Sequence, residues 1–447
     1  MVIAHSDRAD RSARASSWLP DAPWISAEQR AWFKEHVSGW LGANAAMPVL
    51  PRPRPYVPSP RRAALSRDRA RSVPEFFRNC LRVYEAVLSG DVLPAVERAI
   101  YGGLPAHQGL EFHRALGPAA LTIPLSFRTD ESMSGKLYEV QVPGSGWGEY
   151  LLLSDYYATF HGRERVGTDA AGTAEAYVGA LRRTFGTDDP CLMHLVDTSS
   201  GQTGTRYFIE RARAAGARYY GADPGVGAAD VVHIKSHFWQ ALLTEFHSAQ
   251  HLPRAANEPA LYDRSLNWLF TTKVMTALPF WRLTAEFFTD QDRDLFPYTA
   301  VLEEDGVQLP DGRLVSREEF VAEELPGSRY FLKYADADVA RGSCGQGIHV
   351  LDGVSTQSLS ALDLAWQESG EGSTWIVQRA VDDTSYEVDP DLAGWTPKLS
   401  VLCSLGEYLG SLILFGKGPV VHARTSVAAT VCAQTTAPDL RIDGAMA

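Results

Sequence analysis

The run Tyr330-Phe-Leu-Lys-Tyr334 sets a lysine inside an apolar strand pattern, and Gly342, Gly345 and Gly347 follow in a loop of mostly small and polar residues. Periodicity then predicts a strand over Ile348–Leu351, a helix over Ser355–Glu368 and a strand over Thr374–Val381. Such an order calls for helices packed on a sheet, an α/β or α+β architecture. Glycines let backbone N–H groups approach a polyphosphate, and a strand lysine supplies a fixed charge beside it. The same run also suits a surface hairpin whose Lys333 lays its stem along apolar surface. It is neither a P-loop nor a dinucleotide fingerprint, since GxxxxGK[ST] and GxGxxG are absent from it.

Lysine placement is informative because only seven of the 42 basic residues are lysines: Lys34, Lys136, Lys235, Lys273, Lys333, Lys398 and Lys417. Lys273, in Phe270-Thr-Thr-Lys-Val274, stands alone between residues 236 and 332. A formal charge of -12 argues against a nucleic-acid partner, which demands a concentrated basic surface. Five scattered cysteines with no CxxC pair exclude a disulfide scaffold or zinc ribbon and fit a reducing cytoplasm. The chain contains no apolar run of about 18 residues, so no membrane span is expected.

Upstream, Cys191–Val196, Thr205–Ala215, Ala217–Tyr220 and Asp230–Ile234 alternate as strand, helix, strand, strand. The loop Ser199-Ser-Gly-Gln-Thr-Gly204 in this unit keeps open a nucleotide-dependent oxidoreductase, although it lacks the three-glycine spacing and an acid placed for a ribose. Earlier still, strand-like Ala119–Phe127 and Lys136–Val142 flank a turn-rich Thr129–Gly135, a predicted hairpin. Period two puts Glu139 and Gln141 on one face of its second strand, where they could converge on one ion or take part in a cross-strand Arg–Glu pair.

Other elements follow from local signals. Ser26 with Gln29 forms a capping-box pattern opening a helix over Ser26–Trp40, and Pro48–Arg71 reads as an extended strap before a helix over Val73–Ile100. Helices are predicted over Leu261–Leu278 and Arg282–Phe288, and from a capping box at Ser316-Arg-Glu-Glu319 to Glu324. Lys398–Ser404 and Gly410–Phe415 read as paired strands.

Taken in order, Phe127-Arg-Thr-Asp130, Leu137-Tyr-Glu-Val-Gln141, Lys273, Lys333 with its glycine loop, and Trp375-Ile-Val-Gln-Arg379 resemble the permuted arrangement of glutathionylspermidine synthase-like ATP-grasp amide ligases. The resemblance spans Thr122 to Thr430 and is closest in kind to peptide ligases of the pheganomycin type in peptide-antibiotic assembly. It implies an ATP-grasp fold preceded by an α/β substrate domain and a helical N-terminal extension. It further implies ATP and Mg²⁺ as cofactors. Arg128 matches the arginine that meets the terminal phosphate, Asp130 and Glu139 match magnesium ligands, and Gln141 stands where the family has Asn. Lys273, Lys333, Gly342, Gly345 and Gly347 would hold phosphates, and Val377, Gln378 and Arg379 would line the adenine. Arg341 and Arg424 are candidates for phosphate or substrate carboxylate, since arginine binds both bidentately.

These implications divide the chain into a helical extension (1–110), a substrate domain carrying the hairpin (111–255), nucleotide-binding subdomains (256–436) and a tail (437–447). The expected partners are a small-molecule acid and an amine or peptide acceptor. Because Gln141 departs from the family, a catalytically idle ATP-grasp-like binding protein is a further alternative.

Overall fold

The computed structural model describes residues 25–41, 50–92, 94–101, 123–142, 147–162, 169–195, 202–220, 231–234, 261–262, 267–336, 347–381, 395–404, 406–421 and 426–432. The first part of the chain forms α1 (Ala27–Leu41), β1 (Leu50–Pro51), α2 (Pro60–Ser89) and α3 (Pro94–Tyr101). Next come the hairpin β2 (Ser126–Glu131) and β3 (Leu137–Gln141), then α4 (Trp147–His161) and α5 (Ala170–Phe185). An alternating stretch supplies β4 (Cys191–Leu195), α6 (Gln202–Ala214), β5 (Arg218–Tyr220), β6 (Val231–Ile234) and β7 (Leu261–Tyr262). After it lie β8 (Thr299–Glu303), β9 (Gly306–Gln308), β10 (Leu314–Val315), β11 (Arg329–Tyr334) and β12 (Ile348–Asp352). The last elements are α7 (Thr356–Gly370), β13 (Trp375–Arg379), β14 (Thr396–Ser404), β15 (Glu407–Gly416) and β16 (Ser426–Val431).

These strands make three sheets, two of them dominated by antiparallel pairs. Sheet I runs β1-β16-β15-β14-β2-β3, sheet II runs β10-β9-β8-β13-β11-β12, and the small sheet III, β5-β4-β6-β7, is parallel. Sheet III is the unit expected from the alternation after residue 191. Among the described residues no helix is long and apolar enough to cross a membrane.

Sheet I is covered on both faces. On one side α2 buries Val73, Phe76, Phe77, Cys80 and Tyr84 against Phe127, Leu137, Leu399, Val401 and Ile413. On the other, α4 and α5 pack Leu151, Tyr157 and Leu181 with Leu402, Leu412 and Leu414. Each such buried Phe or Leu contributes about 1.5–3 kcal/mol. In sheet II, α7 covers the face carrying Tyr330, Leu332, Trp375 and Val377. The alternate residues of β11 and β13 therefore face away from α7.

Several elements depart from the sequence-based expectation. The strap runs only to Ser59: Arg52 and Tyr56 donate their backbone N–H to Ala429 (2.8 Å) and Val431 (3.0 Å). Then α2 starts at Pro60, because Ser59 caps it by accepting from the Arg62 N–H at 3.2 Å and Pro60 is pre-set for the first helical turn.

The hairpin strand continues through Thr129 and Asp130 to Glu131, and the turn is confined to residues 132–136. There the Ser132 hydroxyl accepts from the N–H groups of Gly135 (3.1 Å) and Lys136 (2.8 Å). Gly135 sits at φ +102°, and a Cβ there would lie 2.9 Å from Arg62 Nη1, so only glycine fits.

No α-helix covers the described residues 267–278. Trp268–Thr271 and Lys273–Thr276 are separate 3-10 turns, because the Thr272 and Thr276 hydroxyls bond back to Leu269 O (3.0 Å) and Lys273 O (2.8 Å). Ala285–Phe287 is likewise a 3-10 turn rather than the α-helix expected over Arg282–Phe288. Both capping boxes form: Gln29 and Ser26 bond reciprocally, as do Glu319 and Ser316.

Candidate active site

The candidate site lies where the β2–β3 hairpin at the edge of sheet I meets the α7-distal face of sheet II. Register places Asp130 opposite Glu139 and Arg128 opposite Gln141 across the hairpin. It also places Asp130 opposite Ser400 on β14. Two carboxylates directly opposite one another repel and need cations around them. Asp130 has two, Arg128 donating through Nε (3.0 Å) and Nη2 (3.1 Å) and Lys398 through Nζ (2.6 Å), and the neutral Ser400 hydroxyl adds a bond through Oγ (2.7 Å). Burial alone would push the Asp130 carboxyl up, but Arg128 and Lys398, with the hydrogen bonds from Lys398 and Ser400, hold it well below the usual carboxylate range.

Glu139 is partly exposed, and its Oε1 lies 3.8 Å from Lys273 Nζ. Lys273 is carried by a 3-10 turn whose first N–H bonds to Ala335 O at 3.1 Å, directly after β11. Lys333, the penultimate residue of β11, ties the two sheets together by donating to Gln378 Oε1 (2.6 Å) in sheet II and to the Tyr138 carbonyl (3.2 Å) in the hairpin. Gln378 in turn donates to Thr299 Oγ1 at 3.1 Å. Burial pushes the Lys333 ammonium down to about 8, with Glu139 and Asp130 opposing the shift and Lys273 and Lys398 adding to it. Next to it, Phe331, Ile348 and Val350 are half-buried on the same face of sheet II, a flat apolar surface beside convergent polar groups.

The structure thus brings together Arg128, Asp130, Glu139, Lys273, Lys333 and Gln378, and sets Gln141 opposite Arg128 on the hairpin. Val377 turns into the core under α7, and Arg379 is exposed and donates to Ser328 Oγ at 3.3 Å, so these two side chains lie on the other face of β13. Gly347 adopts φ +67° and its carbonyl accepts from the Tyr334 N–H at 2.7 Å, closing the base of the glycine loop. Arg341, Gly342, Gly345 and Arg424 lie outside the described residues, as does the start of the Ser199–Gly204 loop. Sequence reasoning missed Lys398, Ser400, Thr299 and Phe331. Lys398 had a detectable signal, being one of seven lysines and sharing a strand face with Ser400 two residues on.

The donor set suits a hard divalent cation. Among the described residues no group of three or more His, Cys, Asp or Glu could hold a metal unaided. Asp130, Glu139 and Gln141 offer oxygen ligands from two carboxylates and an amide, and Mg²⁺ is usually completed by phosphate oxygens and water.

No family model and no curated protein sequence matches the chain. Among solved structures it is similar to an apo-form glutathione synthetase-like effector from Globodera pallida, at 13% identity and TM-score 0.49, over 93% of this chain and 98% of that one. It is also similar to a putative γ-glutamylcysteine synthetase from Methylobacillus flagellatus, at 11% identity and TM-score 0.40, over 74% of this chain and 86% of the other. At such identities neither substrate nor mechanism transfers from those proteins to this chain.

Proposed function

We propose that this chain is an ATP- and Mg²⁺-dependent carboxylate–amine ligase of the ATP-grasp type. The observation that carries the reading is the gathering of Arg128, Lys273, Lys333 and Lys398 around Asp130 and Glu139 between the two sheets. Four cations against two carboxylates leave a positive excess, the complement of a triphosphate partly neutralised by a divalent ion.

In this reading Lys273 and Lys333 hold phosphate oxygens, Arg128 meets the transferring phosphoryl group, and the base lies over Phe331, Ile348 and Val350. Asp130, Glu139 and Gln141, with phosphate oxygens, would hold Mg²⁺, which supplies neutralisation of the phosphate charge. A carboxylate oxygen of the acid substrate attacks the γ-phosphorus, the bond to ADP breaks, and ADP leaves. The amine nitrogen then attacks the acyl carbon, the C–O bond to phosphate breaks, and the amine gives up its proton as phosphate departs. The protein contributes electrostatics, proximity and exclusion of water. The substrates suggested by the family resemblance are an amino-acid derivative and the amino end of a peptide, in specialised metabolism. The test is a mixture of purified protein, ATP and Mg²⁺ with acid and amine pairs: ADP and phosphate are expected only when both substrates are present. Release dependent on neither would overturn the ligase reading.

Two further outcomes are expected. Glu139→Gln should lower turnover by roughly a hundredfold, the scale of one lost electrostatic contact in a phosphoryl-transfer site, and Gln141→Asn by much less, because it keeps an amide oxygen. Steady-state kinetics with varied Mg²⁺ would measure both, and equal losses would count against the metal role of the hairpin.

The second outcome concerns protons. With its pKa near 8, Lys333 is mostly charged below that pH and mostly neutral above it in the free protein. A polyanion favours the ammonium, so nucleotide binding should take up roughly one proton at pH 9 and roughly a tenth of one at pH 7. Calorimetry in buffers of different ionisation enthalpy measures this uptake, and Lys333→Met should remove it.

A further inference from the structure

We infer that Lys398 is a placeholder cation, occupying the Asp130 carboxylate until a divalent metal arrives with nucleotide and takes its position. The inference rests on the nucleotide-site reading above and adds an order of events to it. A carboxylate has about four lone-pair sites. At Asp130 four donors occupy them: Arg128 Nε (3.0 Å) and Ser400 Oγ (2.7 Å) on Oδ1, Arg128 Nη2 (3.1 Å) and Lys398 Nζ (2.6 Å) on Oδ2. Asp130 can therefore ligate a metal only by releasing one of them.

The donors differ in how easily they leave. Arg128 holds on through a planar fork with two bonds, and Ser400 is fixed by its register opposite Asp130 and carries no charge. Lys398 contributes a single bond at the end of a flexible four-carbon stem, and a dication repels it directly. Its position on β14, two residues before Ser400 on the same strand face, keeps it within reach of Asp130 and at the edge of the site.

Metal and nucleotide should then bind synergistically. Without nucleotide, the metal must expel an ammonium that has no new anionic partner. With nucleotide, phosphate oxygens complete the metal's shell and receive the released ammonium. The two ligands are coupled through one side chain, and coupling of this kind is reciprocal, typically 5–150-fold.

The experiment uses the full chain and Mn²⁺ as a paramagnetic stand-in for Mg²⁺, with free Mn²⁺ followed by electron paramagnetic resonance. Wild-type protein should bind Mn²⁺ weakly alone and at least about tenfold more tightly with a non-hydrolysable ATP analogue. Lys398→Met, and Lys398→Gln as a second variant of different polarity, should bind Mn²⁺ without nucleotide about tenfold more tightly than wild type. Adding Asp130→Asn should erase that gain. Unchanged nucleotide-free affinity in both Lys398 variants, or a gain that survives Asp130→Asn, would overturn the placeholder role. Failure of the analogue to bind wild-type protein even with Mn²⁺, read by calorimetry, would instead overturn the nucleotide site itself.

Discussion

Lys333→Met is expected to lower amide-forming turnover by about a thousandfold or more, the range for removing a preorganised charge from a transition state, while folding stability changes much less, because relief of the buried charge offsets the lost bonds to Gln378 and Tyr138. Lys333 is buried among polar partners, and burial pushes its ammonium down to about 8, so the folded state holds that charge at a cost. Methionine fills the same volume without the charge. Because the folded pKa is depressed below the unfolded one, wild-type stability should rise with pH from about 8 to about 10.5 as the unfavourable charge is lost, and Lys333→Met should flatten that rise. Turnover and denaturant unfolding of the same preparation separate the two effects. Normal turnover in the variant would sink the assignment of Lys333 to phosphate.

The second large effect lies on the other face of the hairpin strand. Glu131 is fully buried and receives Arg62, Arg69 Nε (3.0 Å) and the Thr129 hydroxyl (2.5 Å). Both arginines belong to α2, so this carboxylate pins the strand that carries Asp130 to the long helix. Glu131→Gln would leave two guanidinium groups buried without a counter-charge and should cost about 3–5 kcal/mol of folding stability.

Arg62 is the less satisfied of the two, since its Nε and Nη1 have no partner among the described protein atoms. Arg62→Met added to Glu131→Gln should therefore cost less than the two single losses combined, as expected for residues in direct contact. Urea unfolding of the cycle measures the coupling. Simple additivity would mean that the helix and the strand are not held together by this charge cluster.

Much of the site was readable from residue order because strand geometry is regular. Alternation alone puts Arg128 with Asp130, and Glu139 with Gln141, on shared faces, and β11 with β13 came out close to their expected bounds. What order could not convey was which segments become neighbours. Lys398 read as the start of an apolar strand, and its significance arises only when β14 pairs with β2. The dense Pro and Arg before residue 71 disguised the start of α2, although Ser59-Pro60 is a cap followed by a favoured first residue. Residues 268–276 have helical spacing of apolar side chains, but the Thr272 and Thr276 hydroxyls and the bond from the Lys273 N–H to Ala335 O broke the turn into pieces, an override that spacing does not carry.

Sheet I has a temporal consequence. Its order interleaves β1 from the chain's start, a hairpin from its first third and three strands from its last tenth or so, with β14 wedged between β2 and β15. The Ser400–Asp130 bond alone closes a loop of 270 residues. During synthesis, the hairpin therefore waits with one edge unpaired until β14 emerges, while sheet II can already close around Lys333. Pairings so distant in sequence form slowly, and the bare edge is open to association in the meantime. Sheet II is complete once β13 ends at Arg379, shortly before β14 begins at Thr396, so the last strands made would decide when the proposed nucleotide platform and the acidic hairpin are locked together.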